Sequence, residues 1–237
     1  MRKTAGIFAF AGMLALAATP ALAQSSGNVA TDNLTTVCEV ASKDGSLSCI
    51  NPATGAPATC PTLSGGSGGN LGTPLMSTTI QTPSGSGTAL VVTPSLDTGL
   101  YTNTKVSSTD GVLTGTDTAE SGLLVQVTVD GNPVDPEVTS TDTATFPGGI
   151  SGVMYDERFQ QLSTSNLACA TSSGCSIQLI LSSLSAHSFN FTAPNMGQGN
   201  HVVNVYAQLV NTQGSEMACV GPGSLTVVQA KAFQQNQ

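Results

Sequence analysis

The stretch from Cys175 to Val210, CSIQLILSSLSAHSFNFTAPNMGQGNHVVNVYAQLV, decides the fold class. Within it Phe189 and Phe191 alternate with Ser188, Asn190 and Thr192. Beyond a Pro/Asn/Gly-rich break at Pro194 to Asn200, Val203, Val205, Ala207 and Leu209 alternate with Asn204, Tyr206 and Gln208. Apolar residues at every second position put one face of an extended chain in a core and the other in water. Two such runs around a turn predict a half-buried antiparallel pair. A pair alone cannot bury its apolar face, so further strands are expected over it.

Those strands are legible on both sides. Ser77 to Thr82, Ala89 to Pro94, Leu100 to Ser107, Gly122 to Val129, Gly152 to Leu162 and Ser224 to Ala230 have strand character and are separated by turn residues. Leu123, Val125, Val127 and Val129 share one face, and Asp130-Gly131-Asn132-Pro133 ends that strand with favourable turn chemistry. Short alternating strands without a βαβ rhythm predict an all-β chain, an antiparallel β-sandwich over 75–237. Ile177, Ile180, Leu181 and Leu184 sit at i, i+3, i+4 and i+7, which predicts one short helix across an end of the sandwich. Asp156 to Ser165 reads as strand. The segments VTVDGNPV (127–134) and GNHVVNVYA (199–207) resemble the Ig-like or fibronectin-like sandwiches of bacterial exported proteins, over about Ser77 to Ala230. The chain has no Trp and so lacks the core Trp of antibody-type domains; the resemblance implies a fold class and no activity.

At the N-terminus, Arg2 and Lys3 precede an uncharged run from Ile7 to Ala18, then Pro20 and Ala21-Leu22-Ala23. This is the pattern of a secretory signal peptide over 1–23, cleaved before Gln24, and it predicts a secreted or periplasmic protein. No later stretch is apolar enough for membrane insertion after cleavage. Removing 23 of 237 residues leaves 214 and takes the net charge from −8 to about −10, with Lys43, Lys105, Arg158 and Lys231 the remaining basic side chains. Such a surface repels phosphate backbones, so no nucleic-acid partner is expected.

Residues 24–74 read as a Cys-containing flexible segment. Gln24 to Asn33 is a lead-in, Leu34 to Ile50 a small hairpin, and Asn51 to Pro74 a linker containing the Gly/Ser run from Ser64 to Asn70. All six cysteines, Cys38, Cys49, Cys60, Cys169, Cys175 and Cys219, fall after the cleavage site, and an even count in an exported chain predicts three disulfides. The sequence leaves the pairing open, but local spacing favours Cys169–Cys175, Cys38–Cys49 across the Lys43-Asp44-Gly45 turn, and Cys60–Cys219. No C-x-x-C pair supports a zinc site.

Few residues suggest chemistry. His187, Met196 and His201 flank the turn between the two best strands, and imidazoles with a thioether suit copper. Asp97, Asp110, Asp117, Asp130, Asp135 and Asp142 supply hard oxygens for calcium but lack D-x-D-x-D-G spacing, and aspartate is favoured in turns anyway. Asp156 and Glu157 are adjacent, so on a strand they face opposite ways and form no acid/base pair. A Ser-His-Asp set is available on paper, without a G-x-S-x-G elbow. No catalytic residue and no cofactor is expected. The reading is an exported, non-enzymatic binding or structural protein of a surface, matrix, adhesin or filament. Its partners would be other proteins or its own copies, recruited through a β-edge, with the N-terminal segment one source of the added strand. The alternatives are an exported copper- or calcium-binding protein, or a secreted hydrolase accessory domain.

Overall fold

The computed structural model describes residues 28–65, 72–84, 87–136, 138–139, 151–169, 174–213 and 215–231. The expected signal peptide, most of the Ser64 to Asn70 run and Asp142 lie outside the described residues.

The described residues contain no helix. In chain order the strands are β1 (Val29–Leu34), β2 (Val37–Val40), β3 (Leu47–Ile50), β4 (Pro57–Ala58), β5 (Ser64–Gly65), β6 (Met76–Thr82), β7 (Thr88–Ser108), β8 (Val112–Val129), β9 (Asn132–Pro133), β10 (Val138–Thr139), β11 (Ser151–Ala168), β12 (Cys175–Ser188), β13 (Phe191–Ala193), β14 (Gly199–Gln213) and β15 (Ser215–Lys231). One sheet runs β1-β15-β7-β12, with β13 also on β7. The second runs β10-β11-β8-β14-β5, with β6 also on β14 and β9 on β8. A third, small sheet is β2-β3-β4. The pairings are antiparallel except β5 with β14.

Period-2 patterning explains why the two large sheets face each other. Leu90, Val92, Leu96 and Leu100 of β7 and Leu225 and Val227 of β15 are buried in one core with Leu123, Val125 and Val127 of β8 and Val203 and Val205 of β14. Each such side chain contributes roughly 1.5–3 kcal/mol relative to exposure. Farther along β7 the interior turns polar: Thr98, Thr102 and Thr104 are fully buried, Thr98 facing Asp156 and the other two Gln160 of β11.

Four expectations are corrected. The Ile177 to Leu184 segment is not a helix but part of β12, in unbroken register with β7 from Cys175↔Ser108 to Ser188↔Ser95. Its apolar residues fit both periods, and the backbone groups offered by β7 decide between them. The runs around Pro194 to Asn200 do not pair with each other. β13 joins β7 in one sheet and β14 joins β8 and β6 in the other, so the turn crosses the sandwich. Alternation fixes faces, not partners. The lead-in contains β1, which pairs with β15 along its whole length.

The fourth correction is the disulfide pairing. Cys38 and Cys49 are direct cross-strand neighbours, yet Cys38 bonds Cys219 and Cys49 bonds Cys60, while Cys169–Cys175 is as expected. The hairpin docks its cysteine face on β15 and β7, so Cys38 meets Cys219, and the chain after β4 brings Cys60 to Cys49. Gly99, in register with Cys219, leaves room for the crossing: a Cβ there would lie 2.5 Å from the Cys38 Sγ. Three disulfides belong to an oxidising compartment.

Candidate functional site

Both histidines sit in polar clusters with an acid and a hydroxyl. The first lies on the seam between β11 and β12. The register of β11 shifts between Met154 and Asp156, and this bulge turns both Tyr155 and Asp156 inward. Tyr155 enters the core, where burial raises its pKa and its hydroxyl donates to the Pro94 carbonyl at 3.0 Å. Asp156 Oδ2 accepts from Ser185 Oγ at 2.6 Å and from Thr98 Oγ1 at 3.1 Å, and Ser185 Oγ lies 2.8 Å from His187 Nε2. Because the single Ser185 proton goes to the carboxylate, His187 donates to the serine. In a serine-nucleophile relay the imidazole takes that proton and the acid holds the far ring nitrogen. Here the acid lies on the same side, 3.8 Å from Nε2, and takes the proton itself.

The second cluster is at the other end of the sandwich. His201 Nδ1 is 2.7 Å from Asp130 Oδ2, and Nε2 is 3.0 Å from Thr82 Oγ1 and 3.1 Å from the Gly197 carbonyl. Thr82 donates its own proton to that carbonyl. In the protonated ring Nδ1 donates to the carboxylate and Nε2 to the Gly197 carbonyl. The Asp130 hydrogen bond raises the His201 pKa against an opposing effect of burial, and the His201 hydrogen bond is the main cause lowering that of Asp130, aided by the Val202 N–H at 2.9 Å. The order acid–imidazole–hydroxyl is that of a relay, but the Thr82 proton is directed to the Gly197 carbonyl and not to the ring, and the Asp130 bond favours the imidazolium, which has no lone pair to accept a proton or ligate a metal. The cluster ties the Asp130-Gly131 turn, with Asp130 at φ 53°, to β14 and β6.

The expected metal set is dispersed. Met196 donates its backbone N–H to Thr88, whereas His187 stands opposite Leu96, eight residues and roughly 26 Å along the same strand. Met196 does share a cleft of about 260 Å³ with Asp130, Asp135 and Thr192. Among the described residues no three His, Cys, Asp or Glu side chains gather as a metal site. Of the acidic candidates, Asp110 bonds Ser108, and Asp117 accepts the Lys105 N–H at 2.6 Å. Glu157 points away from Asp156, and its pKa is raised by burial and by Glu120.

The other feature is β12 itself, the terminal strand of its sheet. It contains no Asp, Glu, Lys, Arg or Pro and exposes Leu179, Leu181 and Leu184 at 38%, 43% and 48%. Ser185-x-His187 is legible in the sequence as one face of a strand. Asp156 is not, because its inward turn depends on the β11 bulge.

Fold and site together define a disulfide-linked all-β sandwich. No family model and no curated protein matches the chain. Among solved structures it is similar to Eiger TNF from S. frugiperda, at 14% identity and a TM-score of 0.21, covering 90% of this chain and 98% of that one. It is also similar to the carbohydrate binding module CBM6cm-2 from Cellvibrio mixtus lichenase 5A in complex with cellotriose, at 12% identity and a TM-score of 0.17, covering 86% and 97%. Scores this low carry no argument about function.

Proposed function

We propose that this chain is an exported bacterial β-sandwich of the immunoglobulin-like kind that acts without catalysis, by adding a partner's strand to its own sheet at a cell surface or in an extracellular matrix. The observation that carries this reading is the edge of β12, which among the described residues pairs with β7 alone; the strand is long and uncharged and exposes Leu179, Leu181 and Leu184, while the Gly45 turn of the β2–β3 hairpin lies against Ile180 and Ser182. Soluble β proteins ordinarily blunt such an edge with charge, proline or a bulge, and an edge left open supplies backbone hydrogen bonds to an added strand. The proton assignments at His187 and His201 weigh against the hydrolase alternative, since neither imidazole is placed to take a proton from its hydroxyl neighbour.

The test is a fluorescent peptide of alternating valine and threonine titrated into the full chain and followed by anisotropy. Saturable binding that is lost in Leu181→Lys supports the reading, and no binding counts against it. Ester hydrolysis by the purified chain that disappears in Ser185→Ala would overturn the non-enzymatic part.

A further inference from the structure

We propose that the β2–β3 hairpin guards the β12 edge: its tip, Ser42 to Gly45, rests where an added strand would lie and lifts before a partner can pair there. This rests on the edge-binding reading above and names the control of that site.

The hairpin crosses the outer face of the first sheet. Its base is pinned, because Cys38 is bonded to Cys219 of β15 and Cys49 to Cys60. That base passes over Gly99 of β7, where an added Cβ would lie 2.5 Å from Cys38 Sγ and 3.0 Å from Leu184 Cδ2 of β12. From there the chain runs on to the edge strand. A Cβ on Gly45 would stand 3.0 Å from Ser182 Oγ and 3.2 Å from Ile180 Cγ2, and the Ser182 hydroxyl donates to the Gly45 carbonyl. Ile180, Ser182 and Leu184 share the face of β12 turned away from the second sheet, since Ser185 reaches Asp156 from the other.

The tip supplies what β12 lacks. β12 has no charged residue, no proline and no register irregularity along its pairing with β7. Lys43 and Asp44 are both exposed, and they adjoin the glycine that sits on Ile180 and Ser182. Charge beside an edge discourages strand addition, and here it is carried by a separate element. A strand paired to β12 would lie roughly 4.8 Å from it. The outer-face side chains of that strand would stand beside Ile180 and Ser182, against the tip.

The tip also holds its own shape. The Ala41 N–H donates to the Ser46 carbonyl at 2.8 Å and the Gly45 N–H to the Ala41 carbonyl at 2.9 Å, while Asp44 Oδ1 accepts from the Ser46 N–H at 3.0 Å and from the Ser46 hydroxyl at 2.7 Å. The bond that ties it to β12 comes from a side chain, so lifting the tip breaks no strand pairing. The buried Cys38, Leu47 and Cys49 keep the rest of the hairpin in place. The apparent dissociation constant of an added strand is then the intrinsic constant divided by the fraction of chains with the tip lifted. Losing one hydrogen bond changes that balance by roughly two- to tenfold.

The experiment titrates the valine/threonine peptide into three full chains, disulfides intact: the parent, Ser182→Ala, and a short-turn chain in which Ser42 to Gly45 is replaced by Asn-Gly, a two-residue turn that closes the hairpin between the bonded Ala41 and Ser46. Ser182→Ala should lower the dissociation constant roughly two- to tenfold and the short turn at least as much. Leu181→Lys should abolish binding in each. Non-reducing peptide mapping checks that the short-turn chain keeps all three disulfides. If it does not, Gly45→Ala, whose Cβ pushes the tip off Ser182 and Ile180, replaces it with the same expectation. A hairpin variant that binds no tighter than the parent overturns the guard and leaves the edge reading standing, even if Ser182→Ala binds tighter, because Ser182 lies on β12 itself. Peptide binding by none of the chains overturns both readings.

Discussion

Replacing Gln160 with leucine should be among the most costly single changes outside the apolar core, and two further substitutions should undo most of the cost. The Gln160 amide donates to Thr104 Oγ1 at 2.5 Å and to the Leu179 carbonyl at 2.8 Å, and its oxygen accepts from Thr102 Oγ1 at 2.7 Å. Gln160 is 4% exposed and both threonines are fully buried. Leucine fills similar space but strands the Thr102 hydroxyl, leaves the Thr104 hydroxyl only its 3.5 Å contact with the Leu179 carbonyl and takes the amide donor from that carbonyl, and an unsatisfied buried polar group costs about 1–3 kcal/mol. The loss expected for Gln160→Leu is therefore roughly 2–5 kcal/mol. Adding Thr102→Val and Thr104→Val removes the two under-bonded hydroxyls, so the triple variant should return to within about 1 kcal/mol of the parent, a strongly non-additive cycle. Urea unfolding followed by far-UV circular dichroism, disulfides intact, measures each step, with an unchanged m-value showing that the change lies in the folded state. A triple variant less stable than Gln160→Leu alone would show that the ladder is not what holds β11 against β7, and the reasoning would fail.

Three other changes test separate parts of the structure. The His201 pKa is raised in the folded chain, so its contribution is full below about pH 6.5 and is lost as pH rises through the folded value; Asp130, lowered, contributes above about pH 3.9 and loses its effect as pH falls through its own folded value. Thermal midpoints across pH 4 to 9 should fall less on the alkaline side in His201→Gln than in the parent, and parallel profiles would refute the ion pair's role. Gly99→Ala places a Cβ 2.5 Å and 2.9 Å from the two sulfurs of Cys38–Cys219, which should cost about 1–3 kcal/mol or leave that bond unformed, as non-reducing peptide mapping would show. Glu157 has a raised pKa from burial and Glu120, so its ionised form destabilises the fold. Glu157→Gln should gain stability at pH 7 and none at pH 4, and a gain equal at both would point elsewhere.

What the sequence determined by itself was most of the strand content and the inward face of strands such as β8 and β14. Period-2 alternation in Leu123–Val129 and Val203–Leu209 is a local property that any partner must respect, so positions such as Leu123 and Val203 are assigned to the inner face without knowledge of the neighbouring strand. Asp156 to Ser165 reads as strand and is strand. The Cys169–Cys175 loop is legible for the same reason, since its ends are near neighbours in the chain. Tertiary structure alone decided the rest. Phe191 and Val203 went to opposite sheets, Ile177 to Leu184 took the extended state because β7 had backbone groups to satisfy, and Cys38 bypassed its cross-strand neighbour for Cys219 because the hairpin lies on β15. The two histidine clusters depend on contacts as distant in sequence as Thr82 with His201 and on a bulge at Tyr155. Alternation records which side of a strand is apolar; which strand lies beside it is fixed only by the backbone hydrogen bonds and side-chain packing of the assembled sheets.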